Sequence, residues 1–171
     1  GAPDWERSKL FVLFGVAEDH DSNPIKIGIG KMKARGARVI GVNPIRSGYN
    51  AVADDWIGIT PGTDGLLILS LIHCLLEAGK VDLDYLARFT NAALLINETD
   101  GAEKGLFVRN AEAQPFVIDR RTGMPAPWDG KGVEPDLGAA WQGHRTVFQH
   151  MAERYLSADY APETVAERCG V

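Results

Sequence analysis

Polar side chains that can bind a ligand stand directly after two short β-branched runs. Residues 39–42 (VIGV) are followed by Asn43 and Arg46, and residues 56–59 (WIGI) are followed by Asp64 at the start of an apolar run. In an open α/β sheet, ligands bind at the carboxyl ends of the strands, and anions or polar edges favour helix N-termini. The pattern therefore predicts a binding site at these strand ends.

Residues 38–76 also supply the elements that would position these side chains. Pro44 lacks an N–H group and biases the preceding residue away from helix, so the first strand should end there. Thr63 or Asp64 is expected to offer a side-chain acceptor to the first N–H groups of a helix over residues 65–78. One strand end and one helix start would then face the same ligand.

The chain before this stretch predicts a β-α-β unit. Residues 10–14 (LFVLF) form a continuous apolar run, which is typical of a strand buried on both faces of a parallel sheet. Residues 25–35 predict the crossover helix of a right-handed unit. Because Gly28 and Gly30 each cost up to about 1 kcal/mol in a helix relative to alanine, an alternating strand over residues 25–29 is the alternative.

Further helices are predicted in the second half of the chain. Residues 81–90 (VDLDYLARFT) place apolar side chains on one helical face, and residues 146–154 do the same. A last helix is expected to begin at Pro162, because proline is favoured in the first turn, and to end near Cys169.

Residues 100–143 have a different character, rich in glycine, proline and charged residues. The short runs 106–108 and 115–118 predict two antiparallel strands joined by a turn over residues 110–114. Trp128, Trp141 and Phe148 are expected to anchor this segment against the core. The segment is interpreted as a small irregular or β-hairpin insertion, a surface flap on an otherwise regular domain.

Length and composition are those of an ordinary globular protein. The chain has 171 residues, 45% hydrophobic and 24% charged, which suits a single domain over residues 1–171. A net charge of −5 argues against nucleic acid as a partner. No apolar run approaches the roughly 18 residues of a membrane span, so we expect no membrane insertion.

Other chemistries find little support in the sequence. Cys74 and Cys169 are far apart and lack a C-x-x-C partner, so no iron–sulfur or zinc site is predicted. His73 lies among Leu and Ile in a predicted helix, where a core histidine is favoured over a ligand. The loop residues 19–21 (DHD) could form a metal or acid–base cluster, but a solvated loop is favoured. A dinucleotide fingerprint would need its glycines directly after the first strand, and residues 28–30 lie about ten positions too late.

The strand-end motifs resemble a known family. Residues 42–47 (VNPIRS), 53–54 (AD) and 61–64 (PGTD), the last ahead of an apolar helix, are similar to the dimethyl sulfoxide reductase/formate dehydrogenase family of molybdopterin oxidoreductases. The family pattern is roughly V-D-P-R-x-T, A-D and P-G-T-D. Asn43 stands where the family has aspartate, and Ile45 moves the arginine one place along. The resemblance implies an α/β, Rossmann-like three-layer domain with a short parallel sheet.

The resemblance also implies a ligand and a set of contact residues. The ligand is a molybdopterin guanine dinucleotide that carries molybdenum or tungsten in the complete parent enzyme and is absent from this fragment. The implied contacts are Gly15, Val16, Ala17, Glu18, Asn43, Pro44, Ile45, Arg46, Ser47, Gly62, Thr63 and Asp64. In the family's G-x-N motif an asparagine stands at the position of Ala17.

Three of these residues have alternative roles. Asp64 would accept hydrogen bonds from guanine N1–H and the exocyclic amine, or would only cap its helix. Arg46 would pair with a phosphate, or would lie on the solvated surface. Glu18 would bond a ribose, or would lie on an exposed loop.

The expected function is therefore cofactor binding as one domain of a larger oxidoreductase. We expect no catalytic residue and no metal ligand in this chain, and we expect the isolated fragment to be inactive. The implied partners are the remaining domains of the parent and an electron-transfer subunit, with the cytoplasm favoured over the periplasm. Two alternatives stay open: a nucleotide-binding Rossmann-like domain without molybdenum, and a degenerate domain kept for subunit contacts. The substrate and the metal are left open.

Overall fold

The computed structural model describes residues 4–5, 7–16 and 24–171. The chain forms two compact units. The first comprises Gly1–Leu71 together with Pro162–Val171, and the second comprises Ile72–Ala161. None of the helices within the described ranges is long and apolar enough to cross a membrane.

The first unit is built on a short parallel sheet. Its strands are β1 (Leu10–Phe14), β2 (Arg38–Val42) and β3 (Asp55–Ile57), in the order β1-β2-β3. Both neighbouring pairs are parallel. The predicted α/β class with a short parallel sheet is therefore confirmed.

Helix α1 (Pro24–Ala34) connects β1 to β2 as the crossover helix, so the alternating strand over residues 25–29 is wrong. Ile29 and Met32 on α1 are buried in one core cluster with Leu13, Val39 and Tyr49. The 3.6-residue period of these apolar positions places them on one helical face. Helical packing on the sheet thus outweighs the cost of the two glycines.

Two further helices and a short turn complete the first unit. A 3-10 turn, Gly48–Ala51, lies between β2 and β3. Helix α2 (Asp64–Glu77) begins where the sequence predicts and continues into the second unit. The last helix of the chain, α5 (Pro162–Cys169), begins at Pro162 and ends at Cys169 as predicted.

The second unit combines helices with two small antiparallel sheets. Its helices are α3 (Leu83–Phe89) and α4 (Val147–Tyr155), followed by a 3-10 turn, Ala158–Tyr160. Its strands are β4 (Leu95–Ile96), β5 (Phe116–Ile118), β6 (Pro125–Pro127), β7 (Ala140–Trp141) and β8 (His144–Thr146). One sheet has the order β4-β8-β7, and the other is the β5-β6 hairpin.

The predicted hairpin around residues 110–114 is only partly correct. The turn forms, because the Asn110 N–H group donates to the Gln114 carbonyl over 3.0 Å. The two predicted runs pair next to the turn, because Arg109 forms an antiparallel bridge with Pro115 and the Phe116 N–H group donates to Val108 O over 2.9 Å. Only the second run forms a regular strand, β5, which also pairs with β6. In the first run Phe107 forms an isolated bridge to Ile96.

The second unit has its own core. Ala92, Ala93, Val117 and Leu137 are buried there, and Phe148 packs against them. Phe148 is thus the anchor that the sequence predicts, whereas Trp128 is 55% exposed, so the expectation is wrong for Trp128.

Candidate functional site

The three parallel strands end level with one another. In the sheet register Phe14 pairs with Val42, and Val42 pairs with Ile57. The ladder continues past the strand ends, because the Gly15 N–H group donates to Val42 O over 3.0 Å and the Asn43 N–H group donates to Ile57 O over 3.1 Å. The loops that begin at residues 15, 43 and 58 therefore leave the same edge of the sheet.

The loop after β2 is shaped by Asn43. Its Oδ1 atom accepts from the Ile45 N–H group over 3.2 Å, and its carbonyl accepts from Trp56 Nε1 over 2.9 Å. The following residues Pro44, Ile45 and Arg46 are exposed, with Ile45 at 67%. Asn43 is thus occupied in fixing the turn, and Arg46 extends from a supported loop.

A buried asparagine supports this loop from behind. The Ser47 carbonyl accepts from the Asn50 N–H group over 3.0 Å and from Asn50 Nδ2 over 3.3 Å. Asn50 is 2% exposed, and no group in the described part of the chain donates a hydrogen bond to its Oδ1 atom. A Cβ atom at Gly41 would lie 2.2 Å from this Oδ1, so only glycine fits on the strand there. Sequence reasoning missed this contact, because Asn50 belongs to no periodic pattern.

Asp54 ties the far end of the same loop to the sheet. Its backbone N–H group donates to Val39 O over 2.8 Å, and its Oδ2 atom accepts from the Val39 N–H group over 2.8 Å. Lys33 Nζ lies 2.8 Å from Oδ1 and also donates to Val52 O over 2.7 Å. The hydrogen bond from Lys33, and then that from Val39, hold the pKa of Asp54 below its usual range. The family resemblance includes Asp54 but assigns it no role.

The third loop leads to the start of α2. Gly62 has φ +86, a left-handed conformation that favours glycine, and no atom lies within 4 Å of a Cβ built there. The Thr63 hydroxyl donates to Thr60 O over 2.7 Å, so it closes the preceding turn instead of offering the predicted cap. Asp64 is the first residue of α2 and is half-buried. Among the residues described, none donates a hydrogen bond to its carboxylate.

The C-terminal helix holds this loop in place. The Thr60 N–H group donates to Cys169 O over 2.8 Å, and Cys169 Sγ lies 3.7 Å from Thr63 O. Cys169 is fully buried, so its thiol serves packing. A residue at the end of the chain thus positions the predicted site, which the sequence did not foresee.

The predicted site residues separate into three groups. The register places Gly15 and Val16 at the same sheet edge as residues 43–47, and Gly62, Thr63 and Asp64 follow β3 on the third loop. Ala17 and Glu18 lie outside the described residues, as do the acidic and histidine residues 19–21. In the part of the chain that is described, no group of three or more His, Cys, Asp or Glu could hold a metal ion.

A separate cavity lies in the second unit. It has a volume of about 630 Å³ and none of the predicted site residues lines it. Its lining is mostly apolar and includes Phe89, Val117 and Trp128. The strand-end site is instead an open edge formed by loops.

Several characterised proteins are similar to this chain. A sulfite dehydrogenase subunit of Allochromatium vinosum is 54% identical over 186 residues, an alignment that covers 100% of this chain and 19% of that protein. The nitrate reductase alpha chain of Bacillus subtilis is 25% identical, with 93% of this chain and 14% of that protein covered. A putative catalytic subunit of dimethyl sulfoxide reductase from Halobacterium salinarum is 26% identical, with 99% and 21% covered. No family model matches the chain. The chain spans 14–21% of the length of these relatives.

Proposed function

Because the homologues of this chain are molybdopterin oxidoreductases, as its motifs predict, we propose that it binds the guanine-dinucleotide part of the cofactor. It would do so as one domain of a larger molybdenum or tungsten enzyme. The observation that carries the proposal is the level ending of β1, β2 and β3, which sends three polar loops from one sheet edge. Such an edge is where open α/β sheets bind ligands.

The residues at this edge fit a nucleotide. The Asp64 carboxylate at the start of α2 has two oxygens to accept the paired N1–H and amine donors of guanine. Arg46 is exposed on the supported loop and can pair with a phosphate. Apart from their chain neighbours, no described residue has an atom within 4 Å of a Cβ built at Gly15 or Gly62, which leaves room for a ligand close to this backbone.

In the complete enzyme the cofactor would supply the metal for electron or oxygen-atom transfer. The role of this chain is to hold and orient the nucleotide end through Asp64, Arg46 and the loop backbone of residues 15–16 and 43–47. Ala17 and Glu18 are proposed to complete the same contact. None of these residues is assigned a step at the reacting atoms, so the isolated chain is expected to be catalytically silent.

The guanine contact is tested by saturation-transfer NMR of the 171-residue chain with GDP and NAD in competition. We expect saturation of GDP and its loss in Asp64→Ala. Asp64→Asn is the sharper variant, because asparagine keeps the size of the side chain but has only one oxygen and cannot accept both guanine donors. Asp84→Ala, in the first turn of α3, is the matched control and should leave the signal unchanged.

Three results would contradict the proposal. A preference for NAD or for adenine nucleotides would favour a nucleotide-binding domain without molybdenum. A GDP signal that survives Asp64→Asn would place guanine elsewhere. The absence of any nucleotide signal, in the isolated chain and in the complete parent protein alike, would favour a domain kept for subunit contacts.

The identity to one relative suggests a substrate for the parent. The sulfite dehydrogenase relative is 54% identical to this chain, whereas the nitrate and dimethyl sulfoxide reductase relatives are 25% and 26% identical. We propose that the complete parent protein oxidises sulfite. The assay is sulfite-dependent reduction of an artificial electron acceptor by the complete protein, with nitrate reduction as the comparison. Turnover of nitrate in place of sulfite would contradict this proposal. Turnover by the isolated 171-residue chain would contradict the expectation that this chain has no catalytic activity by itself.

A further inference from the structure

Helix α3 in the second unit has apolar side chains on two sides. Leu86 and Ala87 pack against the core cluster of this unit. On the opposite side Tyr85 and Phe89 are 56% and 70% exposed, and their rings pack on each other with centroids 5.1 Å apart. A helix that is apolar on two faces is normally packed between two layers, because exposed apolar area is costly in water. The outer face of α3 therefore lacks a partner within this unit.

The outer face continues into the cavity of about 630 Å³, here named the α3 groove. The residues that define it are Phe89, Leu94, Pro115, Val117, Trp128 and Val133. The ring of Trp128 stands at this groove and is 55% exposed. Exposed aromatic side chains around an apolar depression are typical of a protein interface, where Trp and Tyr supply much of the contact energy.

The guanidinium group of Arg88 borders the groove. Arg88 lines both the α3 groove and a smaller neighbouring depression. Arg38, Arg121 and Arg145 each form an ion pair with a carboxylate. Within the described ranges no carboxylate lies at ion-pair distance from Arg88. A guanidinium group beside apolar surface is well suited to a bidentate carboxylate contact.

We propose that the α3 groove docks another segment of the same parent polypeptide, one with apolar side chains and a carboxylate that pairs with Arg88. The occupant follows from chain length, because this chain spans only 14–21% of its relatives and most of their polypeptide lies outside it. Interfaces between the parts of one chain bury surfaces of this mixed apolar and charged kind. The inference rests on homology to larger enzymes and is independent of guanine binding.

The test is hydroxyl-radical footprinting of unmodified protein, read by mass spectrometry. Oxidation rates are compared between the 171-residue chain and the complete parent protein that contains it. Rates at Phe89 and Trp128 should fall by about fivefold or more in the complete protein, because half-exposed side chains lose nearly all their accessible surface in an interface core. Met124, 58% exposed in the same unit and absent from the groove lining, is the internal control and should change little.

A charge reversal tests the second part of the proposal. Arg88→Glu should restore oxidation of Trp128 in the complete protein, while the melting temperature of the isolated chain stays unchanged. Lys80→Glu is the matched reversal, because Lys80 is also exposed in this unit and does not line the groove. Lys80→Glu should leave the oxidation rate of Trp128 the same as in the unmodified complete protein.

Each remaining outcome would overturn the proposal. Equal oxidation of Phe89 and Trp128 in both forms would mean that nothing covers the groove. Protection that appears in the isolated chain and grows with its concentration would make a second copy the occupant. Protection of Trp128 that persists in Arg88→Glu would show that the docked segment has no carboxylate paired with Arg88.

Discussion

At the residue scale, the buried carboxylate of Asp119 fixes a loop in the second unit. Asp119 is 5% exposed and shapes the turn after β5. Its Oδ1 atom accepts from the Arg121 and Glu134 N–H groups over 3.1 and 3.3 Å. Its Oδ2 atom accepts from the Thr122 hydroxyl over 3.4 Å. The hydrogen bond from the Arg121 backbone is the main reason that the pKa of Asp119 lies below its usual range.

The depressed pKa gives a pH dependence with a definite sign. Ionised Asp119 stabilises the fold fully above the ordinary pKa of 3.8, and this contribution is lost as the pH falls through the lower folded-state value. Asp119→Asn should lower the free energy of unfolding at neutral pH, and the difference from the unmodified chain should shrink below about pH 4. Urea unfolding measured from neutral to acid pH checks this.

The control for this experiment is Asp100→Asn, since the side chain of Asp100 is 92% exposed. It should leave the pH profile of stability unchanged. If the loss of unfolding free energy in Asp119→Asn stays constant with pH, the loss comes from altered packing or hydrogen-bond geometry and not from the missing negative charge.

At the element scale, the two glycines of α1 have different reasons to be there. A Cβ atom at Gly28 would lie 1.6 Å from Trp5 Cζ3, so the absence of a side chain lets the indole ring lie against the helix. Trp5 in turn packs against the first core. Outside the local helix backbone, no atom of the described residues lies within 4 Å of a Cβ built at Gly30. One glycine is therefore required by packing, and the other only weakens the helix.

Alanine substitutions should separate the two positions. Gly28→Ala is expected to destabilise the chain by about 1–3 kcal/mol, because the ring of Trp5 must move out of a packed position. Gly30→Ala is expected to stabilise it by up to about 1 kcal/mol, since alanine is the better helix former. Thermal and urea unfolding measure both. Equal effects of the same sign would show that Trp5 does not pack on Gly28 in solution.

At the scale of the whole molecule, stability comes from two hydrophobic cores. Met32 is fully buried in the first unit, and Leu95 is fully buried in the second. The buried cluster that contains Met32 shares no residue with the buried cluster of the second unit. Each unit thus depends on its own packed interior.

Truncation of either side chain should be costly. Met32→Ala and Leu95→Ala are each expected to lower the free energy of unfolding by about 2–5 kcal/mol, through lost burial and the cavity left behind. Ile27→Ala and Met124→Ala are the matched controls, because these side chains are 66% and 58% exposed. Surface changes of that kind usually stay within about 0.5 kcal/mol. Controls as costly as the core variants would contradict the burial described for these positions.

Local patterns in the sequence were enough to identify the family and the main elements. The run at residues 10–14, the helix over residues 25–35 and the start of α2 follow from hydrophobic periodicity and from proline and glycine. These signals can be recognised in the sequence because each of them depends on residues that are close together in the chain. The strand-end motifs likewise named the family that the relatives confirm.

Contacts between distant residues were decided only by the tertiary structure. Examples are the pairing of β4 with β8, the packing of Trp5 on Gly28 and the support of the Thr60 loop by Cys169. In each case the two positions share no local sequence pattern. The exposure of Trp128 has the same origin, because whether an apolar side chain is buried depends on which surface the fold brings to it. Sequence alone specified which residue types could bind a nucleotide. The level register of three parallel strands, set by packing of the sheet, decided that their loops share one edge.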